Sequence, residues 1–262
     1  MAAAVAAATC ARKEKTTNMG LTIHYSLKSD AGSPAQARQQ VERLRQAALD
    51  LPMAEVGEVV ELTGAECDPE IGNKDDEGKR WLLIQARRII QIGEGYYFAT
   101  PTHVIAFAAW PGEECEVANL GLATYPDVIE TKDGELTTGL KRGWYWHSFC
   151  KTQFSSNPSV GGAANFVRCH LAVIRLLDAA KAIGVLEEVK DEGGYWEKRD
   201  AKALVETVGR WNSFIAGIVG QFKDQFGGTT IAPITEFPNF EHLEAEGRKG
   251  EEGDSPDKSP VD

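Results

Sequence analysis

Hydrophobic and polar positions alternate early in the chain. Gly20–Leu27 (GLTIHYSL) sets Leu21, Ile23, Tyr25 and Leu27 against Thr22, His24 and Ser26, the two-residue period of a half-buried strand. Ser33-Pro34 then offers an N-cap and a first-turn proline. Val41, Leu44, Ala47 and Ala48 share one face of the helix predicted over Pro34–Leu51. Val56–Leu62 reads as a second strand, and Thr63–Lys79 as an acidic loop. Strands are predicted at Trp81–Ala86, Ile89–Ile92, Tyr96–Ala99, Thr102–Trp110, Cys115–Thr124 and Lys141–Phe154. Their short connections favour antiparallel pairing, because parallel crossovers need a dozen or more residues.

The second half reads as helical. Gly161-Gly162 opens a helix to about Ile183, with Phe166, Cys169, Val173, Leu176, Leu177 and Ala180 in one apolar arc. Leu186–Arg199 reads as a hairpin turning at Gly193-Gly194, its Tyr195, Trp196, Glu197 and Arg199 making cross-strand pairs. A helix over Asp200–Phe226 carries an apolar stripe from Leu204 to Phe226. Behind that stripe lie Gly209, Ser213, Ala216, Gly217 and Gly220, which ask for a close contact, expected within the chain, to offset their low helix propensity. Ile231–Leu243, with two prolines, is expected to run extended over the surface. The predicted architecture is α+β: a mainly antiparallel sheet, with helices 34–51, 161–183 and 200–226 packed chiefly on one face.

Composition sets limits on this picture. The chain has 262 residues, 42% of them hydrophobic, with a net charge of −11. It has no uninterrupted apolar run of the roughly 18–20 residues that a membrane helix requires. So acidic a chain repels phosphate backbones, so no nucleic-acid partner is expected, and with no spanning run no membrane is expected either. Residues 1–18 carry Arg12, Lys13 and Lys15 after an alanine run, the reverse of a secretory signal, and are read as an unstructured extension before Met19. Residues 244–262 are read as an unstructured acidic tail, leaving one domain over 19–243. The five cysteines include no CxxC pair and are expected to be reduced thiols in the cytoplasm.

Chemistry is sparse. The chain lacks the phosphate loop, the HExxH metal motif, the dinucleotide fingerprint and the GxSxG elbow. The 63–79 loop departs from the calcium pattern, and Glu113, Glu114 and Glu116 read as a solvated turn. Neither metal nor cofactor is implied. The densest polar segment is Trp144–His170, read as strand, loop and helix. His147 and Cys150 point to opposite faces of that strand, so they form no catalytic dyad. The first backbone N–H groups of the following helix could hold a phosphate or carboxylate. The expected ligand set is Lys151, Gln153, Ser155, Asn157, Ser159, Gly161, Gly162, Asn165 and His170. If that set is not used, Ser159 merely caps the helix. His170 is placed toward the core and Arg168 toward solvent.

Several blocks resemble an uncharacterised bacterial protein family: Gly20–Tyr25, His103–Phe107 with Trp110-Pro-Gly112, Phe149–Gln153, Asp191–Glu197 and Pro238–Leu243. The similarity spans about Gly20 to Gly247. It implies a bacterial, single-domain, cytosolic protein and transfers no catalytic residue. Two functions follow as expectations. One is a non-catalytic binding or interaction protein with a protein partner. The other is an enzyme acting on a small anionic ligand at the 147–170 junction, with Lys151, Asn165 and His170 as ligand or acid–base groups. Oligomeric state is left open.

Overall fold

The computed structural model describes residues 21–71, 76–92, 95–132, 134–140, 143–226 and 232–253. The expectations for residues 1–18 and Met19 lie outside them. Strand β1 (Thr22–Ser29) buries Ile23, Tyr25 and Leu27 as the alternation requires. Helix α1 (Pro34–Leu49) starts at Ser33, whose hydroxyl accepts the Gln36 N–H, and buries Ala37, Val41, Leu44 and Ala48. The strand expected over Val56–Leu62 is broken at Gly57 into β2 (Glu55–Val56) and β3 (Val60–Thr63).

Helix α2 (Glu77–Ala86) replaces the strand expected at Trp81–Ala86. Asp76 caps it by accepting the Lys79 N–H, and Leu82, Leu83 and Ala86 are buried at helical spacing. Strands β4 (Arg88–Ile92) and β5 (Gly95–Ala99) form a separate two-stranded sheet. Then come β6 (His103–Trp110), β7 (Ala118–Thr124), a small hairpin of β8 (Val128–Thr131) and β9 (Gly134–Thr137), and β10 (Trp144–Lys151). After two 3-10 turns, helix α3 (Gly162–Ile183) leads to β11 (Leu186–Asp191).

The expected hairpin over Leu186–Arg199 is not formed. Gly194, at φ 71°, turns the chain into a short helix, α4 (Tyr195–Lys198), so Tyr195 and Trp196 make no cross-strand pairs. Arg199 ends that turn at φ 53°, its guanidinium held by Asp178 at 2.7 and 2.8 Å and stacked 4.7 Å over Trp196. Helix α5 (Ala201–Phe226) follows as predicted. Residues 232–243 are not extended: a 3-10 turn at Pro233–Glu236 leads into helix α6 (Phe240–Gly253). That helix also continues ten residues into the segment expected to be unstructured from Glu244.

The main sheet runs β11-β1-β10-β7-β6, with β2 and β3 on the outer side of β6, and every pairing is antiparallel. The protein is therefore α+β. Ile23, Tyr25 and Leu27 of β1 face Cys150, Ser148 and Trp146 of β10 in register. This surface shares one interior with Val41 and Leu44 of α1, Leu82 and Leu83 of α2, and Ile174 and Leu177 of α3. Helix α5 buries Leu204 and Val208 against Phe166 of α3 and Leu21, and its second half packs against α6, burying Ile215, Ala216 and Val219 with Ile234, Phe237, Phe240 and Leu243. The small residues of α5 make that approach possible. A Cβ on Gly217 would meet Gly247 at 3.0 Å, one on Gly220 would strike Glu244, and one on Gly247 would strike the Ser213 carbonyl. The close contact expected of the strip is thus made within the chain. No helix among the described residues is long and apolar enough to cross a membrane.

Candidate functional site

The segment after β10 is stitched into the interior by its own polar groups. Gln153 is buried; its carbonyl oxygen accepts the Leu21 N–H at 3.0 Å and its amide donates to Asn212 Oδ1 of α5 at 3.0 Å. Asn212 in turn donates to the Ser156 hydroxyl at 2.8 Å. The Ser155 and Ser156 hydroxyls donate to the carbonyls of Thr152 and Gln153, both at 2.6 Å. Ser159 does not cap α3; Asn157 Oδ1 instead accepts the Ser159 N–H at 3.0 Å and starts the second 3-10 turn. Gly161 and Gly162 adopt positive φ at 107° and 62°, where a side chain would be strained. No side chain caps α3.

A second chain of contacts starts from Thr152. Its hydroxyl meets His170 Nδ1 at 2.9 Å, and His170 Nε2 lies 3.2 Å from Asp191 Oδ1, an ion-pair distance but off line for a well-formed hydrogen bond. Asp191 also accepts the N–H groups of Gly193 and Trp196, both at 2.8 Å. Burial pushes this carboxyl's pKa up, but His170 and the two N–H groups outweigh burial and hold it below its ordinary value. Hydroxyl, imidazole and carboxylate stand in the order of a hydrolytic relay. However, Thr152 and His170 are 0% exposed, as is the Asp191 side chain, so no substrate bond lies within reach of the hydroxyl.

The remaining expected residues are close by. Lys151 ends β10 with its ammonium 4.7 Å over the Phe154 ring, and burial lowers its pKa despite Glu116 and Glu192. Asn165 donates to the Ser155 carbonyl at 3.1 Å and accepts from Arg168 at 2.8 Å. Arg168 is exposed, as its wheel position requires. Its guanidinium is nevertheless folded back onto the carbonyls of Pro52 and Pro111, at 2.9 and 3.1 Å. The structure thus gathers the junction residues into one neighbourhood, with the polar groups of Gln153, Ser155, Asn157 and Asn165 and the Nδ1 of His170 engaged by the chain itself. Sequence reasoning missed Thr152, Asp191 and Asn212. Asp191 followed by Gly193-Gly194 carried the signal of a side-chain-capped turn. Asn212 gave none beyond a polar position on an amphipathic helix.

A different surface is apolar and open. Ile89 of β4 faces Phe98 of β5, and Tyr96 stands two residues along on the same face. These side chains are 51%, 50% and 46% exposed. Elsewhere, a polar cleft of about 720 Å³ lies between the start of α1 and β11, with Lys28, Asp30, Gln40 and Arg43 on its walls. No group of three or more His, Cys, Asp or Glu residues among those described is placed to hold a metal ion. No protein-family model, curated protein or solved structure matches the chain, so no residue role is carried over from a relative.

Proposed function

We propose that the protein is a non-catalytic interaction protein, and that an extended segment of a protein partner docks on the β4–β5 hairpin. The observation that carries this reading is the half-exposed apolar face formed by Ile89, Phe98 and Tyr96. Large side chains of this kind offer roughly 100 Å² each when half exposed, about 300 Å² together. That is well below the roughly 800 Å² per partner of a standard globular interface, and it suits a single added strand better than a second folded copy. The two-stranded sheet offers the added strand its outer edges, and residues of alternating polarity would place their apolar side chains beside Phe98. Burial of the Thr152–His170–Asp191 chain supports a role without catalysis.

The test is titration with a synthetic ten-residue peptide alternating valine and threonine, followed by amide shifts in NMR spectra. Amides of β4 and β5 are expected to move, and Phe98→Glu is expected to abolish the effect with an unchanged circular dichroism spectrum. Unmoved hairpin amides at millimolar peptide would sink the proposal. A dimer in light scattering that Phe98→Glu dissolves would replace the peptide with a second copy of the chain.

A further inference from the structure

The corner between β1 and α1 faces the corner between α3 and β11 across the polar cleft of about 720 Å³, a size usual for small-molecule sites. The first corner is built by side-chain oxygens. The Ala31 N–H donates to the Ser29 hydroxyl at 3.0 Å, and that hydroxyl donates to Gln40 Oε1 at 2.6 Å. The Gly32 N–H likewise donates to Gln36 Oε1 at 2.8 Å. Both carboxamides are thus fixed by their oxygens. Their Nε2 groups make no hydrogen bond among the described residues and remain as spare donors on the cleft wall. Gln36, Gln40 and Arg43 follow at spacings of four and three, so they share one face of α1 over about 10 Å.

The charges of this cleft are unspent. The other two arginines of α1 are engaged, Arg38 by Glu42 and Glu61, and Arg45 by Glu58 and the Gly57 carbonyl. Arg43 is exposed and has no hydrogen bond or ion pair among the described residues. Across from it, the pairing of β1 with β11 slips by one residue. Ser26 faces Glu188 and Leu27 faces Leu186, so Glu187 is the extra residue of a bulge, which sets it on the cleft wall. Lys28, whose ammonium rests 5.8 Å over the Tyr145 ring, and Asp30 stand on the same walls. Two cations and two carboxylates therefore surround one concavity, and none of the four forms an ion pair among the described residues. Opposite charges held apart around a hollow leave room for a ligand that bridges them.

We infer that this cleft binds a phosphorylated sugar. Arg43 offers a planar fork of donors to the phosphate, and Lys28 a second positive charge. Asp30 and Glu187 disfavour a bare anion but accept hydrogen bonds from sugar hydroxyls, while the Gln36 and Gln40 amides donate to hydroxyl and ring oxygens. The described lining holds no aromatic ring on which a nucleobase could stack, so a pentose or hexose phosphate fits better than a nucleotide. The span of about 10 Å from Gln36 to Arg43 suits the length of such a molecule. No residue of the described lining belongs to β4 or β5, so the inference stands independently of partner docking there.

The test is to titrate the full chain with ribose 5-phosphate, glucose 6-phosphate, ribose and inorganic phosphate, following amide shifts in NMR spectra. The expected result is saturable binding of a sugar phosphate, with moved amides over 29–32, 36–43 and 184–187. Inorganic phosphate and ribose should each bind about tenfold more weakly or less. Arg43→Gln, at a side chain with no partner to lose, should leave the melting temperature unchanged and weaken sugar-phosphate binding about tenfold, as for one lost charge-assisted hydrogen bond. Asp30→Asn combined with Glu187→Gln should erode the preference for sugar phosphate over inorganic phosphate. No saturable shift at millimolar sugar phosphate, equal affinity for inorganic phosphate (an adventitious ion only), or an Arg43→Gln variant that binds as before would overturn the inference.

Discussion

Replacing Asp191 with asparagine tests the buried chain from Thr152 to β11. The carboxylate serves three neighbours: the Gly193 N–H, the Trp196 N–H and the His170 imidazole. Asparagine retains one acceptor oxygen and turns an N–H donor toward another donor. One buried N–H then loses its acceptor, which costs about 1–3 kcal/mol. Asp191→Asn is therefore expected to lower stability at pH 7 by about 1–3 kcal/mol. That is a large share of the roughly 5–15 kcal/mol available to a folded protein. Urea unfolding followed by tryptophan fluorescence, with Trp196 one turn away, measures it directly. Because Asp191 titrates below its ordinary 3.8 when folded, its contribution is complete above 3.8 and disappears as pH falls through the lower folded value. The gap between wild type and variant should therefore hold at pH 5 and narrow toward pH 3. A loss under 1 kcal/mol at pH 7, or a gap that stays constant into acid, would refute the reasoning.

Gly247→Ala should force α6 away from the Ser213 carbonyl and cost about 1–3 kcal/mol, whereas Gly209→Ala on α5, with open space at its Cβ, should gain about 0.5–1 kcal/mol; calorimetric melting temperatures of both variants check the sign. Burial raises the Cys67 pKa to about 11 and the Cys150 pKa well above its usual value, so neither should be alkylated by iodoacetamide in the folded protein at pH 8, and mass spectrometry before and after denaturation tells.

What the sequence revealed depended on whether one local signal ruled a segment. Alternation decided β1 and β10, down to the shared face of Trp144, Trp146, Ser148 and Cys150. Ser33-Pro34 decided α1. At Trp81–Ala86 a dense apolar run suggested a strand, although Asp76, Glu77 and the Leu82–Leu83–Ala86 spacing already spelled a capped helix. Two prolines hid α6, yet Phe240, Leu243 and Gly247 recur at three and four residues and lie along α5. The junction after β10 was legible as a polar neighbourhood. Its partners were not, because Asn212 and Asp191 reach it from segments 59 and 21 residues away from Gln153 and His170.

The place of β1 in the sheet governs how the chain must be assembled. This early strand lies between β10 and β11, so neither neighbour exists until more than a hundred further residues have been made. At roughly 5–20 residues per second, a ribosome leaves β1 waiting for its mates for about 10–30 s. During that wait Ile23, Tyr25 and Leu27 are sticky and unshielded, and closing so long a loop makes the final annealing step slow. Mutations that weaken β10 or β11 should therefore first appear as poor yield and inclusion bodies during expression.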